Sequence, residues 1–130
     1  MKNDLTKENN LKPHSSLNMK PVIDWELGIK LVNNKKDLAE EMLFLLTKSL
    51  PSELFEIKKA YANKDYPELL KNTHKLHGAV CYCGVPRLKD AIFILETSLK
   101  QKKYSEIETL FNQFEAEAHA VLKEAATLQL

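Results

Sequence analysis

The sequence predicts an all-α fold, an antiparallel four-helix bundle with a short extra N-terminal helix. Apolar residues recur every three to four positions along most of the chain, which is the period of an amphipathic helix. The 130 residues include only three glycines and no alternating β-branched run, so strands are not expected. Short polar connections separate the apolar stripes, and such connections favour antiparallel neighbours.

The N-terminal part of the chain divides into a tail and a short helix. Residues 1–20 carry isolated leucines among Asn, Lys and Ser without a helical period, so we expect a flexible tail or linker there. The domain is then residues 21–130. Its first helix is expected to begin with Asp24 as the N-cap, and Trp25 is expected to close one end of the bundle.

The second helix is expected to be long but interrupted. Asn34 is its expected N-cap, and the apolar residues that follow keep helical spacing. They are Leu38, Met42, Leu45, Leu46, Leu50, Leu54 and Ile57. Pro51 lies inside this pattern. Because proline removes a backbone hydrogen bond and clashes with the preceding turn, we expect a kink or a break near Ser49.

Three further helices complete the bundle. Pro67 fits the first turn of the third helix, which Gly84 is expected to end, and Pro86 begins the fourth. The expected core stripe of the third helix is Leu69, Thr73, Leu76, Val80 and Cys83. That of the fourth is Leu88, Ala91, Ile92, Leu95 and Leu99, with Lys89, Glu96 and Lys100 on its other faces. The fifth helix follows Lys103 and carries Ile107, Leu110, Phe111, Phe114, Val121 and Leu122.

Composition narrows the possible partners and compartment. The net charge is +1 and no long basic run occurs, so nucleic acid is not an expected partner. No apolar run is long enough to span a bilayer or form a signal core, so we expect a cytoplasmic chain without direct membrane contact, or the cytosolic part of a larger protein. Cys81 and Cys83 diverge on a helix and are not expected to pair.

His74 is the main candidate for chemistry. At ~100° per residue it lies roughly 140° from the centre of the third helix's core stripe, so its imidazole should be exposed. Gly78 is one turn further on, where glycine is less favourable than alanine by ~1 kcal/mol within a helix. A close approach by another protein to His74 is one physical reason for leaving that position bare.

A metal site is one alternative for this segment. His74, His77 and Cys81 occupy adjacent angles on the helix, which allows the three side chains to converge on zinc. A structural zinc site needs a fourth ligand, and the position of His119 relative to them does not follow from the sequence. The sequence also lacks the two closely spaced pairs of Cys or His ligands that make a zinc motif specific, so no metal is expected.

The other chemistry available to His74 is nucleophilic. The sequence contains no GxSxG, HExxH or glycine-rich phosphate loop. Neutral imidazole is nevertheless a nucleophile near pH 7, including toward phosphoryl groups. A partner that brings Mg²⁺ and a carboxylate would need only an accessible nitrogen with cationic groups beside it, and Lys71, Lys75 and His77 lie nearby in the sequence.

The run His74-Lys75-Leu76-His77-Gly78, followed by Gly84-Val85-Pro86-Arg87-Leu88, resembles a known family. It is similar to the histidine-containing phosphotransfer (HPt) domains of bacterial two-component phosphorelays, especially the C-terminal HPt domains of hybrid sensor kinases of the BarA type. The resemblance extends from Pro21 to the C-terminus and includes the Ile23-Asp24-Trp25 start and the expected helix break at Leu50-Pro51.

The resemblance implies a relay of phosphoryl groups between receiver domains. His74 would accept a phosphoryl group from the aspartyl phosphate of one receiver and pass it to a response-regulator aspartate. His77 and Lys75 would assist, and Gly78 would leave room for the receiver. The expected partner surface is Lys71, Lys75, Gly78, Glu96 and Lys100. The last two fall where some family members place amide or basic side chains, so Glu96 departs from the pattern of those members.

The resemblance also implies what the chain lacks. A histidine-kinase dimerisation helix normally has an acidic residue after its histidine, whereas Lys75 stands there, and no ATP-binding segment is present. We therefore expect a phosphocarrier and not an enzyme, monomeric and without a bound cofactor, with Mg²⁺ supplied by the partner receiver domain. The alternative from another class is a helical interaction module that is not phosphorylated.

Overall fold

The structure, a computed structural model, describes residues 20–128 of the chain. The described residues form five α-helices and no strand, which confirms the all-α prediction. The helices are α1 Trp25–Leu31, α2 Lys36–Ala62, α3 Tyr66–Val80, α4 Pro86–Lys100 and α5 Ile107–Thr127, and a 3-10 turn at Tyr104–Glu106 precedes α5. The predicted tail, residues 1–20, lies outside this range apart from Lys20.

Helices α2 to α5 form a four-helix bundle. Each packs against the next in the chain, and α5 returns to α2, so the four surround one core. The apolar stripes expected on α3 and α4 are all buried in it. Phe114 is the largest side chain that is fully buried. No helix among residues 20–128 has the length and apolar character needed to cross a membrane.

Of the two alternatives predicted near Ser49, a break in α2 is wrong and a kink stays a prediction. This helix runs without interruption from Lys36 to Ala62 with Pro51 inside it. Pro51 lies on the exposed side, where water can solvate the carbonyl that loses its helical partner. Leu50 and Leu54, on either side of the proline, are both buried in the core. Their packing holds the two halves of the helix in one element.

The predicted role of Asn34 is also wrong, whereas that of Asp24 is confirmed. The Asp24 carboxylate accepts a hydrogen bond from the backbone amide of Leu27 at 3.0 Å and caps α1. Asn34 has a φ of 64°, and its amide donates to the Ile29 carbonyl at 2.9 Å. Asparagine tolerates this left-handed conformation, so Asn34 terminates α1 and does not begin α2.

The turn after α3 anchors the short helix α1. Helix α3 ends at Val80, earlier than predicted, and Gly84 closes the following turn with a φ of +60°. The Asp24 amide donates to the Gly84 carbonyl at 2.8 Å. Trp25 is partly buried against the core beside this turn. The backbone of the turn therefore holds α1 against the end of the bundle.

Substitution of Gly84 by alanine should destabilise the domain strongly. A Cβ atom there would lie 2.6 Å from the Asp24 carbonyl oxygen and 2.7 Å from the Gly28 nitrogen, in a backbone conformation that L side chains rarely adopt. We expect Gly84→Ala to lower the free energy of unfolding by about 2 kcal/mol or more in urea titrations. Gly28→Ala is the control, because its nearest neighbour would be 3.7 Å away. Equal stability of the two variants would contradict this account of the turn.

Candidate functional site

His74 stands on the solvent side of α3 because its neighbours hold the opposite face in the core. Thr73 and Leu76 are fully buried, and this fixes the orientation of the helix. The side chain of His74 is 69% exposed. Its Nδ1 atom contacts Oε2 of Glu96 on the adjacent helix α4. One edge of the ring is thus held by the protein, and the rest of it is open to a partner.

Glu96 is the centre of the site, and its position differs from the prediction. We expected it away from the core, but its side chain is only 3% exposed. Besides His74, its carboxylate contacts Nδ1 of His77 at 2.7 Å and Nζ of Lys100 at 3.2 Å. A buried carboxylate needs such donors, because without them the loss of its hydration is unfavourable. Its burial leaves no free face for the direct partner contact that we had predicted.

These contacts keep Glu96 ionised. Burial, the largest single influence, raises the pKa of the carboxyl group, but hydrogen bonds from His74, Lys100 and His77 together outweigh it. The pKa of Glu96 therefore lies below its ordinary value of 4.5. An ionised carboxylate only accepts hydrogen bonds. The contacting Nδ1 atoms of both histidines must therefore carry protons.

The hydrogen bond to Glu96 decides which nitrogen of His74 is reactive. A neutral imidazole has one N–H donor and one nitrogen with a free lone pair. With the proton held on Nδ1 by Glu96, the lone pair is on Nε2. Because the side chain is mostly exposed, this nitrogen is available to an approaching electrophile. The site presents an oriented nucleophile without an enclosed pocket.

His77 is more buried than His74. Its side chain is 21% exposed, and its ring lies against that of Phe93 with a centroid distance of 5.9 Å. The Phe93 side chain, one turn before Glu96, is itself exposed. The structure thus brings together two of the predicted residues of α3, His74 and His77, with two of α4, Glu96 and Lys100.

Gly78 and the two lysines of α3 lie on the same exposed surface. A Cβ atom on Gly78 would meet nothing within 4 Å, so packing within the described chain does not require glycine there. Lys71 and Lys75 are exposed. Lys75 lines a groove of about 340 Å³ between α2 and α3, away from α4. No ion pair among residues 20–128 joins either lysine to the Glu96 cluster.

The metal alternative finds no geometric support. The Nδ1 atoms of His74 and His77 face Glu96, and the described part of the chain contains no group of three or more potential ligands that could hold a metal ion. His119 lines a different groove, between α2 and α5. Cys81 and Cys83 are free thiols, and burial raises the pKa of Cys83 to about 11.

A family model described as the Hpt domain matches residues 41–126, which include every residue of this cluster. The chain belongs to the Hpt domain family. The resemblance inferred from the His74 motif is therefore confirmed.

Relatives and a solved structure agree with this assignment. The Hpt chain is 46% identical over 80 residues to the sensor protein GacS of Pseudomonas syringae pv. syringae, covering 62% of this chain and 9% of GacS. It is 29% identical over 113 residues to the histidine-protein kinase BarA of Escherichia coli K12, covering 86% of this chain and 12% of BarA. The chain thus spans only about a tenth of the length of these relatives.

One structural match is to the HPT domain of a sensor hybrid histidine kinase from Shewanella. The two chains are 34% identical and superpose with a TM-score of 0.67. The match covers 84% of this chain and 96% of the other. The Hpt fold therefore extends over nearly the whole described bundle.

The stabilising effect of Glu96 should depend on pH. The pKa of Glu96 is lower in the folded than in the unfolded chain. The stabilisation that Glu96 provides is therefore fully present above about pH 4.5 and is lost as the pH falls through the pKa of the folded chain. We expect Glu96→Gln to be less stable than the wild type by about 1–2 kcal/mol at pH 7, since one buried charged acceptor is lost. Glutamine does not titrate, so the difference should shrink below pH 4.5. Urea titrations at a series of pH values measure it, and a difference that stays constant would contradict the assigned ionisation.

Proposed function

We propose that this Hpt domain is a phosphorelay intermediate whose phosphoacceptor is Nε2 of His74. It takes a phosphoryl group from the aspartyl phosphate of a receiver domain and passes it to the aspartate of a response-regulator receiver. The observation that carries the proposal is the exposed His74 ring, held at Nδ1 by the buried Glu96 carboxylate. Membership of the Hpt family supports it.

The proposed transfer is balanced without a free acid or base. Nε2 of His74 uses its lone pair to form the N–P bond, while the P–O bond to the receiver aspartate breaks and the aspartate leaves as a carboxylate. The proton on Nδ1 stays in its hydrogen bond to Glu96. The positive charge that develops on the imidazole is then stabilised by the adjacent carboxylate. The reverse steps deliver the group to the next aspartate.

The remaining residues act around this step. His77, held by the same carboxylate, is one helical turn from the acceptor, where it can assist the phosphoryl oxygens. Lys71 and Lys75 add positive charge to the exposed side of α3, opposite the acidic site expected on a receiver. Mg²⁺ is expected in that receiver, and this chain supplies no cofactor.

The identity of the partners follows from the same proposal. The relatives are named as a sensor protein and a histidine-protein kinase, and the matched structure comes from a sensor hybrid histidine kinase; a receiver domain of such a hybrid kinase would be the donor. A response-regulator receiver would be the acceptor. We propose that the domain acts as a monomer in the cytoplasm and has no kinase activity of its own. A helical interaction module that is never phosphorylated remains the competing function.

A transfer assay distinguishes relay from passive binding. A receiver carrying radioactive aspartyl phosphate is mixed with the wild type or with single variants, and label on this chain is measured over time. We expect His74→Gln to accept no label and His77→Ala to accept it at a rate about tenfold lower, because only assistance is lost. The control is His119→Gln, whose side chain is 61% exposed and lies on another helix.

The outcomes separate the two functions. Label on the wild type and on His119→Gln, but not on His74→Gln, supports the relay. Label that persists in His74→Gln would show that the acceptor is misassigned. Binding of the receiver without any transfer to the wild type would favour the interaction module.

Gly78→Ala should separate stability from transfer. The position is within a helix and has open space around it, so alanine should raise the free energy of unfolding by about 1 kcal/mol. We expect transfer from the receiver to become at least tenfold slower, because a methyl group would occupy the space beside His74 that the partner approaches. Urea titration and the transfer assay on the same samples test this. A lower free energy of unfolding in place of stabilisation would mean that Gly78 serves helix packing, and unchanged transfer would mean that the partner does not use the space.

A further inference from the structure

The three groups that contact Glu96 differ in how they carry charge. Lys100 Nζ and His74 Nδ1 share one carboxylate oxygen, Oε2, and His77 Nδ1 contacts the other. Near pH 7 a lysine ammonium is charged, whereas an imidazole exists in both neutral and protonated forms. Lys100 is therefore the only one of the three that supplies a permanent positive charge to the buried carboxylate.

Charge balance in this cluster determines the form of the histidine. A buried carboxylate without an opposite charge is unfavourable, and the simplest way to balance it is to protonate a neighbouring imidazole. Protonated His74 would carry hydrogens on both ring nitrogens. Its Nε2 would have no free lone pair and could not attack a phosphoryl group. A cation other than His74 is therefore needed beside Glu96 if the acceptor is to remain neutral, and of the two remaining groups only Lys100 is permanently charged.

We propose that Lys100 is a positioning residue that balances the charge of Glu96, so that His74 remains a neutral imidazole with Nε2 free to react. The salt bridge at 3.2 Å, four residues apart on α4, places its ammonium on the oxygen that also holds His74. The side chain is 58% exposed, so Lys100 acts from the rim of the site through Glu96. The effect of Lys100 on phosphoryl transfer rests on the proposed function, but its effect on the protonation state of His74 in the free domain does not.

This role differs from a simple contact with a partner. A lysine that only touched the receiver would leave the ring of His74 unchanged in the free protein. A charge-balancing lysine changes the ring before any partner arrives. The titratable or charged groups that face Glu96 in the described structure are His74 and His77 from α3 and Lys100 from its own helix, so the effect can be assigned within this cluster.

The direct test is the protonation state of the His74 ring by ¹⁵N NMR at pH 7. The proteins are the wild type, Lys100→Met, Lys100→Arg and Lys89→Met. Lys89 is an exposed lysine of the same helix that lines a separate groove near Gly84, so it controls for the loss of one charge. We expect the ratio of imidazolium to imidazole to rise about threefold or more in Lys100→Met, which is the effect of a partly screened neighbouring charge. Lys100→Arg and Lys89→Met should match the wild type.

The second readout is how the rate of phosphoryl transfer falls as the pH is lowered. In Lys100→Met the pH at which transfer falls to half should shift upward by about half a unit, matching the change in ring protonation, and arginine should restore it. Lys100→Gln provides a second neutral variant if the methionine protein is poorly folded by circular dichroism. An unchanged His74 ring in both neutral variants would overturn the proposal. If the ring responds as expected while the wild type accepts no phosphoryl group, the charge-balancing role stands and the proposed function fails.

Discussion

The site depends on a carboxylate that is buried between two helices of the bundle. Glu96 has lost nearly all contact with water, and its oxygens are satisfied by groups of α3 and of its own helix. Because the carboxylate accepts but does not donate, each contacting imidazole nitrogen must bear a hydrogen. This single constraint orients both histidines and exposes the opposite nitrogen of His74. The core of the bundle in turn keeps α3 and α4 at the distance that the hydrogen bonds require.

Much of this arrangement follows from helical periodicity. Buried stripes on α3 and α4 were predictable because apolar spacing within a helix is a local property, and the same geometry placed His74 on the outside. Pro51 was different. A local rule predicted a kink or a break there, but buried leucines on both sides of an exposed proline keep α2 continuous. Packing between helices overrides local preference in such positions.

The role of Glu96 could not be predicted from the sequence, because it depends on contacts with another helix and not on local spacing. At ~100° per residue Glu96 lies roughly 80° from the centre of its core stripe, at the boundary between core and surface. Charged residues at such positions are normally solvated. The hydrogen bonds from His74 and His77 on the facing helix, together with Lys100 on its own helix, make the buried location favourable. Asn34 illustrates the same limit, since its sequence context suited an N-cap while the turn required a residue that tolerates positive φ.

The measurement that tests this account most directly is the position of the phosphoryl group on the labelled domain. Two-dimensional ¹H–¹⁵N and ³¹P NMR spectra of the phosphorylated chain distinguish the two ring nitrogens and the different histidines. The account predicts phosphorus on Nε2 of His74, with the Nδ1 proton still held by Glu96. Phosphorus on Nδ1 of His74 would contradict the account because that atom is engaged by the buried carboxylate. Phosphorus on His77 would contradict the assignment of the more exposed ring as the acceptor.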